Sequence, residues 1–367
     1  MRSKLKTLIK SLFAIADILL AVFTIFSAYG GLIDPESSSA GALAAMLFPP
    51  AICAVVIMML AAIFVHRYLA LLNIAVVIIC WGPFMAICPL NFFRANPTEV
   101  EAEGNKVLKV VTFNTFGLQD FENDNHETIP SNSLQFMIDC DADILLCQEL
   151  YPWKTVLSRK YNSMQTDSLA KRYPYSSNDE RGMAIFSKYP FEKIPLHYND
   201  SYKYDVCRYD VNIDSVTVHV FNMHLQSIGL TDSDKKLYHD ITEGDTDSDF
   251  THIRHDLLGK LSLAFVERAR QSRIIRKFID DAPGRILVAG DFNDIPLCYA
   301  YRTISGDNLT DVYRRAGLGF DISYHADRFY FRIDQMLCSD GLLPLQAQYG
   351  GTGSSDHYPL TAWLQLL

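Results

Sequence analysis

Three long apolar stretches constrain this chain before any other feature does. Residues 11–33 carry a single charge, Asp17, and residues 41–65 and 69–93 carry none. A hydrocarbon core about 30 Å thick takes roughly 20 helical residues to cross, and a buried helix of a water-soluble protein rarely stays free of charge for so long. The expectation is an anchor of three transmembrane helices within residues 1–94. The basic start is that of a signal peptide, but the first apolar run exceeds the usual signal core and two more follow it. Pro49, Pro50, Pro83 and Pro89 are expected to kink the spans, and Asp17 is expected to reach the interface. A transport role would need more intramembrane charge than one acid supplies.

Charge sets orientation and divides the chain. Arg2, Lys4, Lys6 and Lys10 precede the first span, the loop 34–40 has two acids and no base, and His66 and Arg67 follow the second span. Basic loops stay in the cytoplasm, so the N-terminus is expected there and the hydrophilic domain outside, in the periplasm for a bacterial inner membrane. Six of the 33 Lys and Arg and three of the 42 Asp and Glu precede residue 97, which leaves a balance of −12 for the rest. That balance argues against a general nucleic-acid-binding field, though not against a local groove or acids neutralised by cations.

Residues 95–106 are polar and punctuated by Pro and Gly, and read as a linker to a domain over 107–367. Short runs rich in Val, Ile, Phe and Tyr predict strands at 107–113, 143–148, 182–187, 203–213, 216–223, 285–289, 332–338 and 360–364. Helical periodicity shows at 131–139, 153–160 and 261–280, which suggests a mixed, layered α/β domain. Residues 227–260 show no clear period and read as a long lid or a solvated excursion. Cys140, Cys147, Cys207, Cys298 and Cys338 are odd in number and lack CxxC spacing, so they read as buried small side chains, with one disulfide left open.

The chemistry lies where apolar strands end. Asn114 follows VVTF, Gln148 and Glu149 follow ILLC, His224 follows VHVFNM, Asp291 and Asn293 follow ILVAG, Asp334 follows FRI, and Asp356 and His357 follow a pair of serines. Taken singly each is ordinary. Asp291 and Asn293 could be a turn, Asp356 and His357 a surface pair, and Glu149 an acid at a helix start. Strand ends are rigid, however, and several at one sheet edge would gather these groups. Carboxylate and amide oxygens without cysteine suit Mg²⁺, with Mn²⁺ as the alternative.

The stretches VVTFNTFG, DILLCQEL, RGMAIFSKYP, FNMHLQS, ILVAGDFNDIP, FRIDQMLCSD and GSSDHYPL resemble the endonuclease/exonuclease/phosphatase superfamily, in its order and across residues 107–367. The resemblance implies a four-layer α/β sandwich of the DNase I type, with the site at one edge. It implies Glu149 as principal metal ligand with Asn114 beside it. Asp291 would orient or deprotonate the attacking water, and Asn293 would hold that water or a phosphate oxygen. His357 would contact the scissile phosphate with Asp356 orienting its ring and approaching the metal. Asp334 would support this His or a second metal, and His224 would contact phosphate or assist the leaving group. Arg181 is either a phosphate contact or an exposed loop residue. Gln335 stands where the family often has an aromatic, and Gln226 hints at sphingomyelinase-like branches.

The expected function is therefore a metal-dependent phosphoester hydrolase at a membrane surface. Nucleic acid, a lipid headgroup and a soluble phosphate ester compete as substrates. The acidic balance weighs against the first and the anchor favours the second. A silent scaffold retaining the fold is the other class of answer, which loss of Glu149, Asp291 or His357 would have favoured.

Overall fold

The computed structural model describes residues 2–119, 131–151, 163–197, 205–229, 250–326, 330–351 and 354–367. Its N-terminal part is helical: α1 (Arg2–Tyr29), α2 (Ala40–Met46), α3 (Phe48–Val65), α4 (Arg67–Ile79) and α5 (Trp81–Ile87). Two helices, Lys4–Leu32 and Phe48–Val65, are long and apolar enough to cross a membrane, and α4 with α5 makes a third span if that bent pair counts as one. The expected second span is thus broken at Leu47. Pro49 and Pro50 occupy the first turn of α3, where the missing N–H costs nothing. The third bends by 59° between α4 and α5. Pro83 cannot donate to the carbonyl of Ile79, and the Tyr29 hydroxyl donates to that oxygen instead at 2.6 Å. Asp17 does not reach the interface. It is fully buried and accepts hydrogen bonds from the Asn73 amide at 3.0 and 3.2 Å.

The segment between anchor and domain is no free tether. Pro97–Ala102 forms the short helix α6, capped by Asn96, and the first strand begins at Lys106. Well before that point the anchor already docks on the domain. Asn91 donates to the carbonyls of Arg314 and Gly317, and Gly319 donates to Pro89 O. Arg302 donates to Ala28 O at 3.1 Å and Arg332 to Ala86 O at 2.6 Å. Asp34 and Glu36 pair with Arg273, and Glu36 also with Arg270. A Cβ on Gly31 would lie 1.8 Å from Leu297 O, and one on Gly41 would lie 2.1 Å from Gly30 O, so these contacts require glycine. Ala28, Ala42, Ala45 and Phe48 form one apolar cluster with Phe265, Ile295, Leu297 and Cys298 of the domain. The domain therefore sits against the acidic loop after α1, at the opposite end of that helix from the basic N-terminus.

The domain's strands are β1 (Lys106–Asn114), β2 (Ile144–Gln148), β3 (Tyr175–Asn178), β4 (Ala184–Ser187), β5 (Phe191–Ile194), β6 (Asp205–Ile213), β7 (Val216–His224), β8 (Arg285–Asp291), β9 (Thr310–Asp311), β10 (Asp334–Cys338), β11 (Leu342–Tyr349) and β12 (Leu360–Leu366). Its further helices are α7 (Asn132–Asp139), α8 (Ser163–Arg172), α9 (Phe250–Asp280), α10 (Tyr299–Ser305) and α11 (Val312–Ala316). The strands form two six-stranded sheets, ordered β11-β12-β1-β2-β4-β3 and β5-β6-β7-β8-β10-β9.

Both sheets are mixed, with β1 parallel to β2 and β7 parallel to β8 at their centres. Val110, Leu146, Ile185, Val220, Leu287 and Met336 fill the space between the sheets. Leu134 and Met137 of α7 cover one outer face, and Ile275 and Ile279 of α9 with Ile304 of α10 cover the other. The result is the expected four-layer sandwich, since each sheet must bury two apolar faces.

Four strands were not legible. β3 and β5 are exposed edge strands, β9 has two residues, and β11 carries Pro344 at an irregularity in its pairing. The expectation of an aperiodic stretch to residue 260 is corrected, because α9 begins at Phe250. Thr251, His252, Arg254, His255 and Asp256 give its first turns no apolar period. Residues 230–249, 153–160 and 203–204 lie outside the described residues. All eight cysteines are free thiols, and the five of the domain are buried.

Candidate active site

The sheet registers explain why distant residues meet. Asn114 pairs with Gln148 at the ends of β1 and β2, His224 with Asp291 at the ends of β7 and β8, and Asp334 with Asp291 across the antiparallel β10. Because the two sheets pack face to face, these ends share one edge. Beneath it, Gln148 donates to Asn222 Oδ1 at 2.7 Å and to Thr112, while Asn222 donates to the carbonyls of Cys147 and Ala184. Both amides are wholly buried, so this strap ties sheet to sheet directly under the site. Asn222→Leu should cost about 3 kcal/mol by orphaning several buried groups at once. A denaturant titration that finds less than about 1 kcal/mol would show the strap to be dispensable.

Eight of the nine residues singled out from sequence converge. Asn114 Nδ2 donates to Glu149 Oε1 at 3.1 Å and to Asp291 Oδ2 at 3.0 Å, while its Oδ1 accepts from Phe116 N–H. Its amide is thus turned toward the carboxylates as a donor. His224 Nε2 stands 3.7 Å from both Glu149 Oε1 and Asp291 Oδ2. Asp291 Oδ1 accepts from the Asn293 backbone at 2.8 Å, and the Asn293 side chain donates to Leu225 O. Glu149 and Asn293 both adopt positive φ, 55° and 49°, a strained conformation that clusters at functional sites.

Asp334, and not Asp356, orients the His357 ring: Nδ1 lies 2.7 Å from Asp334 Oδ2, leaving Nε2 3.8 Å from Asp291. The reason is the chain path. Ser323 Oγ accepts from the backbone of Ile333 and Asp334, and Tyr349 donates to Asp334 O, which fixes that carboxylate under the ring. Ser355 accepts from His357 N–H and donates to Asn114 O, and Tyr324 packs edge-on at 5.0 Å. Ser323, Tyr324 and Tyr349 do not stand out in sequence, since each is an ordinary Ser or Tyr whose partner is remote, whereas Ser355 belongs to the GSSDHYPL stretch.

Arg181 is the residue that does not join. It pairs with Asp179 through Nε at 3.2 Å and Nη2 at 2.6 Å. The glycine beside it matters more. Gly182, at φ 82°, presses on the Glu149 backbone so closely that a Cβ would lie 3.1 Å from Glu149 Cα. A side chain there would press on the turned Glu149 backbone.

Burial dominates the electrostatics. It pushes the Asp291 carboxyl up, and the neighbouring Asp334 pushes it further. Asp356 is raised to about 6, mainly by burial, with Glu149, Asp291 and Asp334 adding to the shift. Burial alone would lower His357, but Asp334 and Asp291 outweigh it and raise the ring to about 10. An imidazolium at neutral pH can donate to an anionic oxygen, and a carboxylate with a raised pKa can accept a proton from water.

Four carboxylates thus share an edge where, among the described residues, their ion pairs run only to His224 and His357. Asp334 Oδ1 is buried without a partner, and Asp291, Asp334 and His357 offer ligand atoms within 4.8 Å of one another. This surplus of oxygen donors fits a hard cation. A cavity of about 240 Å³ opens over the group, lined by Glu149, Asp291, Asn293, Asp356 and His357 and by Arg268, which is paired with the buried Asp294.

The chain is similar to several solved structures. A TDP2 structure from Caenorhabditis elegans covers 71% of this chain and 74% of its own at 19% identity, with a TM-score of 0.44. An endonuclease/exonuclease/phosphatase from Beutenbergia cavernae covers 71% and 72% at 16% identity, with a TM-score of 0.45. A family protein from Bacteroides thetaiotaomicron covers 71% and 96% at 15% identity, with a TM-score of 0.42. No curated protein matches the chain. Residues 10–87 match a domain of unknown function (DUF8431), which coincides with the helical anchor. Residues 111–357 match the endonuclease/exonuclease/phosphatase family, so the chain belongs to that family of phosphoester hydrolases.

Proposed function

We propose that the protein hydrolyses a phosphodiester or phosphomonoester with the help of a divalent cation, beside the membrane that holds it. The observation that carries this reading is the buried edge where Glu149, Asp291, Asp334 and Asp356 meet His224 and His357 with no other cationic partner among the described residues. Glu149, whose side chain keeps about a third of its exposure, would hold the ion, with Asp356 beside it. Asn114 would have to turn its amide to join as a ligand. When bound, Mg²⁺ or Mn²⁺ would offset this negative charge and stabilise charge on the phosphoryl oxygens.

The residues themselves supply the proton chemistry. Asp291 accepts a proton from water as the water oxygen bonds to phosphorus. The Asn293 backbone N–H holds the Asp291 carboxylate in place. His357, fixed by Asp334, donates from Nε2 to a phosphoryl oxygen. The phosphorus–oxygen ester bond breaks, and His224 protonates the departing oxygen. Basic residues at the far end of α1 support an orientation that keeps this chemistry outside the cytoplasm.

The test is a panel of DNA, RNA, sphingomyelin, phosphoinositides and bis-4-nitrophenyl phosphate, offered to the full chain in detergent. Turnover of at least one substrate should need Mg²⁺ or Mn²⁺, vanish in EDTA and return with the ion. Mn²⁺ binding followed by electron paramagnetic resonance should weaken at least about tenfold in Glu149→Ala. Turnover indifferent to EDTA, or no turnover of any member, rejects the reading. Asp334→Asn, which removes the group that holds the His357 ring, should lower kcat by about 10²-fold or more with KM little changed. An equal loss spread over KM would point to binding instead.

A further inference from the structure

The cavity over the catalytic edge has two chemically opposite walls. One is the polar edge. The other is apolar, built from Met46, Leu261, Phe265, Ile295, Phe331 and Ile333. Met46 belongs to α2 of the anchor, so the membrane segment itself walls the site. A second cavity of about 180 Å³ shares Met46, Ile295 and Phe331 with the first. It runs on past Pro49 and Pro50, at the start of the span α3, to the exposed side chains of Phe320 and Tyr330. Largely apolar lining therefore extends from the catalytic edge to the first turn of a helix apolar enough to cross a membrane.

We infer that the substrate is a lipid phosphoester of the same membrane, with its phosphate at the histidines and its chain along the Met46–Phe331 wall. This rests on the hydrolase reading above and names its substrate class. The domain's acidic balance opposes a polyanion such as a nucleic acid. A small soluble ester would leave the wall wet, whereas each methylene laid against it gains free energy. A membrane crossed by α3 would supply such a chain beside that lining.

Two 4-nitrophenyl phosphodiesters, one carrying a hexadecyl and one a methyl group, share the scissile bond and leaving group and differ only in the chain. The full-length protein in dodecyl maltoside micelles, a detergent without phosphate, should favour the hexadecyl ester in kcat/KM by about tenfold or more. Partition into micelles also favours the long ester, so the deciding measurement is the change in that ratio in Met46→Trp and Leu261→Trp, which fill the apolar wall. The ratio should fall by about tenfold in both variants, each first shown by thermal melting to be folded. Cleavage of both esters with no chain preference, or a ratio within about twofold of wild type in either folded variant, overturns the lipid assignment and leaves the hydrolase standing. Cleavage of neither ester in Mg²⁺ or Mn²⁺ overturns the lipid assignment too, and the hydrolase reading then stands or falls with the substrate panel above.

Discussion

Asp291→Asn is expected to lower kcat by about 10³-fold while the fold persists. The substitution preserves shape but removes the proton acceptor. Oδ1 can still accept from the Asn293 backbone, yet the new amide would face Asn114 Nδ2, now 3.0 Å from Oδ2, and two donors cannot satisfy each other. His224 and His357, at 3.7 and 3.8 Å, lose the charge they share. Stability should move the other way. Burial and Asp334 already disfavour the charged form of Asp291, so its folded-state pKa lies above the unfolded one. A group of that kind opposes folding at neutral pH, and its neutral replacement should hold or raise Tm. Steady-state kinetics and a thermal melt on the same preparation check both halves. Activity within tenfold of wild type would remove Asp291 from the role of base. Because Asp291, Asp334 and His357 touch one another, Asp291→Asn combined with Asp334→Asn should cost scarcely more than Asp291→Asn alone.

What the sequence revealed and what it hid follow from range. Asn114, Glu149, His224 and Asp291 were legible because each ends an apolar run, and a parallel register carries two strand ends to the same edge without further instruction. The resemblance gave His357 two candidate partners, Asp356 to orient its ring and Asp334 to support it, and could not rank them by geometry. The ring turns to Asp334, 23 positions away, which Ser323 and Tyr349 hold from still other elements. Edge strands such as β3 and β5 escaped for the opposite reason, since a half-exposed strand need not alternate cleanly. Arg332 was read only as part of the FRIDQMLCSD stretch. In the fold it is 5% exposed, pairs with Asp311 at 3.0 Å and grips Ala86 of α5, two residues from the carboxylate that orients His357. No local pattern could signal that a catalytic strand is tied to a membrane helix.

That tie predicts the second large effect: residues 97–367 alone should be far less stable than the full chain. In the full chain Phe265, Ile295 and Leu297 are 3%, 7% and 1% exposed and share a cluster with Ala28, Ala42, Ala45 and Phe48. Removing the anchor uncovers their outer sides. Burial of such a side chain is worth about 1.5–3 kcal/mol, so the three together set an upper limit of roughly 5–9 kcal/mol, comparable with the whole stability of a typical domain. The backbone bonds from Arg302 to Ala28 and from Arg332 to Ala86 go as well. The half-exposed pairs of Asp34 and Glu36 with Arg270 and Arg273 add little, because water already screens them. A fall in Tm of about 10 °C or more, or outright aggregation, is the expected outcome for the isolated domain in the same detergent. Equal melting of the two would mean that the anchor merely tethers. Activity assays belong on the full chain for the same reason, since the wall that Met46 contributes to the catalytic cavity leaves with the anchor.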